Sequence, residues 1–154
     1  LLLGLMSADL VLIAALSTPL VLIGVAIGID PATGPLGVVA FVVMAGLWGL
    51  AFTGFPYSIA LRTGNPAAVN NSFLLFFPFA FLTTAYLPQE SMTGWLATAT
   101  KFNPTTYFLE GMRAVMQDGW RWRSIGRALL ATAGVGAVSF SLAFGALRGR
   151  VKRN

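Results

Sequence analysis

Four long apolar runs, almost free of charge, constrain this chain more than any other feature. The first covers about 8–29, with an uninterrupted charge-free stretch from Leu10 to Ile29 between Asp9 and Asp30. The others cover about 36–60, 67–87 and 126–147. A helix of about 20 apolar residues crosses the ~30 Å hydrocarbon layer of a bilayer. Inside lipid each backbone polar group must be satisfied within the segment, which favours helices for runs of this length. One such run fits a buried helix of a large soluble protein. Four in 154 residues do not, because only 10% of the residues are charged, against about a quarter in soluble domains. The expected fold class is all-α, a polytopic membrane helix bundle of about four transmembrane helices.

The breaks between runs are built from helix breakers. Asp30-Pro31-Ala32-Thr33-Gly34-Pro35 separates the first two, and Arg62-Thr63-Gly64-Asn65-Pro66 the next two. Pro78 interrupts the third run and removes one backbone hydrogen bond there.

The stretch 88–125 differs from its surroundings. Counted to Arg127, it holds eight charged residues, together with Trp95, Trp120, Trp122 and Tyr107. Aromatic rings with charges beside them mark the membrane–water boundary. Asn103-Pro104 signals a helix start, with Asn as the N-cap and Pro at the first helical position. From there Thr106, Glu110, Arg113 and Gln117 fall on one face and Phe108, Met112, Val115 and Met116 on another. This predicts a short amphipathic helix ending near Asp118-Gly119, too polar to span and lying at the membrane boundary. This interfacial helical region between the last two spans is expected to lie at, or dip into, the membrane boundary. Trp95, Trp120 and Trp122 are its expected interfacial anchors.

The net charge is +5. Its bases sit beside apolar runs, above all in the tail 148–154 with Arg148, Arg150, Lys152 and Arg153. Bases so placed meet lipid phosphates and set orientation, so membrane lipids are expected partners and nucleic acid is not. Four crossings put the tail and the Arg62 loop on one side and 88–125 on the other. Each side carries five bases, and the density of bases after the last span assigns the tail to the cytoplasm. The chain begins Leu1-Leu2-Leu3 with no initiator Met and no basic region before its first run, so an N-terminal part is expected to be missing.

Several chemistries are excluded within this chain. It has no cysteine and no histidine, which removes thiolate chemistry, zinc sites with nitrogen or sulfur ligands, and imidazole triads. No glycine loop of the Walker type and no nucleophile elbow occurs. No catalytic, cofactor-binding or metal-binding residue is expected. No charge falls in the middle of a span, which argues against an ion-coupled carrier.

The remaining motifs each have an ordinary structural reading. Gly24 with Gly28, Ala45 with Gly49, and Ala133 with Ala137 are small-residue pairs that let helices approach, or simply the common composition of membrane helices. Glu110 and Arg113 are one turn apart, as a surface ion pair or a gating pair. Trp120-Arg121-Trp122-Arg123 has the look of a headgroup anchor, with binding of an anionic lipid or substrate as its functional variant.

The segment Phe77-Pro78-Phe79-Ala80-Phe81-Leu82-Thr83-Thr84-Ala85-Tyr86-Leu87-Pro88 runs into Gln89-Glu90-Ser91-Met92-Thr93-Gly94-Trp95-Leu96. Lys101-Phe102-Asn103-Pro104-Thr105-Thr106-Tyr107 and Glu110-Gly111-Met112-Arg113-Ala114-Val115 follow. Together these resemble the C-terminal half of bacterial type-2 ABC transporter permeases, the group that includes daunorubicin-resistance exporters. Thr93 stands where many members carry a small residue or Pro, whereas Asn103-Pro104 and Arg113-Ala114 match well. The resemblance implies six spans, of which these are the last four. It makes 88–125 an external re-entrant region with a motif of Asn103, Pro104, Glu110 and Arg113. It places the loop 62–71 in the cytoplasm near an ABC ATPase subunit, with Arg62, Thr63 and Asn65 as coupling candidates. It also implies a second permease copy, ATP and Mg on the ATPase rather than on this chain, and a bacterial cytoplasmic membrane.

The leading expectation is therefore a permease subunit of an ATP-driven exporter of a drug, lipid or glycan-type substrate, working by alternating access. An integral membrane enzyme acting on lipid-linked substrates is the second reading, with Glu90, Glu110 and Asp118 as its carboxylate candidates. A non-catalytic membrane anchor subunit is the third.

Overall fold

A computed structural model of the chain describes residues 2–65, 77, 81–83 and 93–151. Among them the regular structure is helical: α1 (Leu2–Ala26), α2 (Pro35–Thr63), α3 (Gly94–Phe102), α4 (Pro104–Arg113), a π-helical turn (Ala114–Asp118) and α5 (Trp122–Val151). Three helices have segments long and apolar enough to cross a bilayer, Ser7–Ala26, Pro35–Thr63 and Trp122–Gly149. The protein is a multi-pass, all-α membrane bundle. The expected span at 67–87 lies outside the described residues, apart from Phe77 and 81–83.

Helix α1 is apolar all round, and Val11, Leu12, Leu16, Leu20 and Ile23 are exposed along it. In water this would be unstable; in lipid it is an ordinary surface. The helix ends at Ala26, three residues before the expected limit of 29. Gly28, at φ 99°, explains the stop. Its N–H donates to the Val25 carbonyl at 3.1 Å, and the Ile29 N–H donates to Gly24 at 3.0 Å. These two bonds form a Schellman cap, which needs a residue tolerant of positive φ. Gly28, the second member of the sequence pair Gly24 with Gly28, thus ends the helix.

Helix α2 opens on Pro35 and runs to Thr63, past the expected limit of 60. Arg62 in its last turn complements the negative end of the helix dipole. Helix α5 starts at Trp122, four residues before the expected 126, so Arg123 and Arg127 belong to its first turns. Its described extent reaches Val151, so Arg148 and Arg150 continue the helix and are not in a separate tail.

The chain divides into two compact units. The first comprises residues 1–50 and 107–132. Its core is Met44, Phe108, Met112, Val115, Ile125 and Ala128, with Trp48 stacked on Phe108 at 4.5 Å between centroids. Small residues set the helix spacing. Gly46 lies against Leu10, and Gly49 against Ile13, where a Cβ would collide with the isoleucine side chain. Gly111 lies against Ala128 in the same way.

The second unit comprises residues 51–106 and 133–154. Here Gly54 packs on the backbone of Ser139, 2.5 Å from where a Cβ would stand to the serine carbonyl carbon. The buried Ser139 hydroxyl donates to the Ala51 carbonyl. Gly136 packs on Ala51 beside it. Ala133 and Ala137, the expected packing pair on this helix, are both exposed.

Candidate functional site

The functional region is assembled around the short helix α4. Asn103 caps it: its side-chain oxygen accepts from the Thr105 N–H at 3.0 Å, and Pro104 occupies the first helical position, where no N–H is needed. The amide of Asn103 donates to the Leu82 carbonyl at 2.7 Å. The side chain is buried, and this second bond uses its donor half in a place with little water.

Helix α4 buries Phe108 and Met112, and the following π turn buries Val115. Glu110 and Arg113 point away from that core, as the periodicity predicts. Thr106 does not join them. It is buried, and its hydroxyl has no hydrogen-bond partner among the described residues. The spacing of four to Glu110 suggested a polar environment, yet Thr106 lies in the second unit and Glu110 in the first.

After Arg113 the helix widens into the π turn at Ala114–Asp118 and ends at Gly119, φ 91°. Carbonyls near a helix end need donors from outside the helix. The loop 30–34 supplies two: the Ala32 N–H donates to Met116 at 2.9 Å, and the Thr33 hydroxyl donates to Val115 at 2.6 Å.

The reversal at Gly119 brings α4 and the start of α5 side by side. Between them opens a cleft of about 490 Å³ lined by Glu110, Arg113, Asp118, Arg121, Trp122, Arg123, Ser124 and Arg127. Gly111 makes this approach possible, since it sits against both Ala128 and the Ser124 carbonyl. Arg121 and Asp118 form an ion pair at 3.0 Å, with 65% and 46% of the side chains exposed. Exposed pairs of this kind contribute under about 1 kcal/mol. Trp120 and Trp122 stack at 5.5 Å beside it.

The sequence singled out Glu110, Arg113, Trp120 and Trp122 here, and the structure brings them into one neighbourhood. Arg121 and Arg123, from the alternation Trp120-Arg121-Trp122-Arg123, stand there too, and the structure adds Ser124 and Arg127. Arg123 and Arg127 are four residues apart on a helix, a spacing that places them on one face once the helix is known to start at Trp122.

The other sequence candidates lie elsewhere. Trp95 is exposed on α3. Arg62 and Thr63 end α2, where the Thr63 hydroxyl donates back to Ile59 at 2.8 Å and accepts from the Asn65 N–H at 3.3 Å. Arg62, Thr63 and Asn65 are all exposed, at the apolar helix's polar end. Residues 66–71 of that loop lie outside the described residues. Among the described residues no three carboxylates gather as a metal site.

A family model described as ABC-2 type transporter matches residues 1–117. The daunorubicin resistance ABC transporter permease protein DrrB1 of Streptomyces coeruleorubidus is 25% identical over 143 residues, covering 92% of this chain and 48% of that protein. The chain therefore spans about half the length of this curated relative. No solved structure matches it. The family match includes α4 and most of the π turn and stops short of Arg121, Arg123 and Arg127.

Proposed function

Because the chain belongs to the ABC-2 type transporter family, we propose that it forms part of the permease of an ATP-driven exporter. The family match over residues 1–117 carries this reading. Three apolar helices of spanning length, with the described charges gathered at their ends, are consistent with it. In this reading ATP hydrolysis falls to a separate ABC ATPase subunit with its own Mg, the arrangement that the resemblance to type-2 permeases implies. A second permease copy completes the pathway.

In this reading Arg62, Thr63 and Asn65 face the cytoplasm and meet the ATPase. A polar, exposed helix end held by the Thr63 hydroxyl bonds gives that subunit a firm lever on α2. Helix α4 and the cleft lie on the opposite, external side of the bacterial cytoplasmic membrane. There the capped helix acts as a structural plug, with its apolar face locked into the core of the first unit. ATP-driven closure of the ATPase dimer rocks the helices into the outward-open state, as alternating access requires. The substrate class is amphipathic or apolar, in line with the resistance named for the relative and with the scarcity of charge in the described spans.

The test is co-expression of the full-length permease with ABC ATPase subunits from its own genome. The two should co-purify, and drug or lipid-probe export should require an intact ATPase. Export that persists with a hydrolysis-dead ATPase contradicts the proposal.

A further inference from the structure

The start of α5 has the wrong charges for a helix. A helix N-terminus carries a partial positive charge and is stabilised by acidic residues. The first turn of α5 has none. Instead Arg121 precedes it, Arg123 sits in its first turn, and Arg127 follows one turn later. Arg123 and Arg127, both exposed, form a like-charge pair at the i, i+4 spacing, which is unfavourable. Such local conflicts in an otherwise consistent sequence concentrate at functional sites.

All three arginines line the cleft, together with Arg113 from α4. Four arginines thus line one concavity together with two carboxylates, Glu110 and Asp118, of which Asp118 is paired with Arg121. An anion placed there would gain from the guanidinium charges and the helix dipole together. Guanidinium forks suit the oxygens of a phosphate in particular.

The surroundings indicate what carries the phosphate. Trp122, in the cleft wall, is 72% exposed and stacked on Trp120, as aromatic rings stand at headgroup depth. Leu130 lies three residues beyond Arg127, on the face that Arg123 and Arg127 share, and it is 74% exposed. One helix face thus passes from guanidinium groups to bare apolar surface within a single turn. This is the order of chemistry along a phospholipid, from headgroup to acyl chain.

We infer that the cleft between α4 and α5 binds the phosphate of an anionic membrane phospholipid, with its acyl chain along Leu130. Arg123 and Arg127 are the principal ligands, and Arg113 and Arg121 complete the ring. The inference requires only that the protein is embedded in a membrane and does not depend on what it transports.

The test uses delipidated full-length protein in neutral detergent, with lipid adducts measured by native mass spectrometry. The probes are short-chain phosphatidylglycerol, short-chain phosphatidylcholine and glycerol 3-phosphate. Phosphatidylglycerol should bind about tenfold more tightly than phosphatidylcholine, since charge-assisted bonds to an uncompensated anion exceed those to a zwitterion. R123Q/R127Q should weaken phosphatidylglycerol by about tenfold or more, and R148Q, in the last turns of α5, should leave it unchanged. Without lipid the double variant should be at least as heat-stable as the parent, because a repulsion is removed. If the double variant does not fold, R123Q alone provides the same comparison. Equal binding of the two lipids overturns the inference, as does a loss no greater in R123Q/R127Q than in R148Q. If glycerol 3-phosphate displaces the lipid at equal concentration, the site takes a soluble phosphate and the lipid assignment fails.

Discussion

Thr33 donates its hydroxyl to the carbonyl of Val115 at 2.6 Å, across 82 positions of sequence. This bond joins the short loop between the first two spanning helices to the π turn that ends α4. Gly37 makes room for it, because a Cβ at that position would collide with the Thr33 hydroxyl. Val115 is fully buried, so its carbonyl has little access to solvent and depends on that donor. Thr33→Val keeps the shape and removes the donor. It should lower stability by about 1–2 kcal/mol, read as a lower melting temperature in detergent. Thr33→Ser keeps the hydroxyl and should lose less.

Asn103→Ala removes the N-cap of α4 and its bond to Leu82 together. Loss of an N-cap costs about 1 kcal/mol, and loss of the bond to the half-buried Leu82 adds about 0.5–1.5 kcal/mol. Folded yield and transport should fall in parallel. Glu110→Gln should leave the yield intact and change transport only modestly, as expected for a partly exposed carboxylate at the cleft wall. Abolished transport in a folded, assembled Glu110→Gln protein would contradict the structural role assigned to this helix.

The two glycine environments predict opposite tolerance. Gly54→Ala forces a methyl group against the Ser139 backbone and should cost about 1–3 kcal/mol from overpacking. Gly126→Ala meets nothing within 4 Å and should be tolerated. Thermal unfolding of the two variants side by side measures the difference.

These contrasts show what the sequence could convey. The spanning helices were legible because lipid demands length and apolarity, both local properties. Asn103-Pro104 was legible for the same reason, since cap chemistry is confined to adjacent residues. Gly28 was not. A small residue four positions after Gly24 suits a packing pair or a helix end, and only its positive φ identifies the end. Thr106 shared a helical period with Glu110 but is buried, because burial depends on what packs against each turn. The alternation Trp120-Arg121-Trp122-Arg123 hid the arginine pair, as its period of two obscures a helix that begins within it. Arg123 and Arg127 form a pair only on a helix that starts at Trp122.

Topology gives an independent check. With cysteines introduced singly at the exposed positions Gln117 and Asn65, a membrane-impermeant thiol reagent applied to intact cells should label Gln117→Cys and spare Asn65→Cys. The reverse pattern would invert the orientation proposed for α4 and the Arg62 end of α2.

The most direct measurement places a photo-crosslinker singly at Arg62, Thr63, Asn65 and Gln117 in the full-length permease, co-expressed with ABC ATPase subunits from its own genome in native membranes. A permease coupled through this helix end should yield an adduct with the ATPase from Asn65 and none from Gln117. An assembled complex that still transports, yet gives no adduct from Arg62, Thr63 or Asn65, would contradict the account.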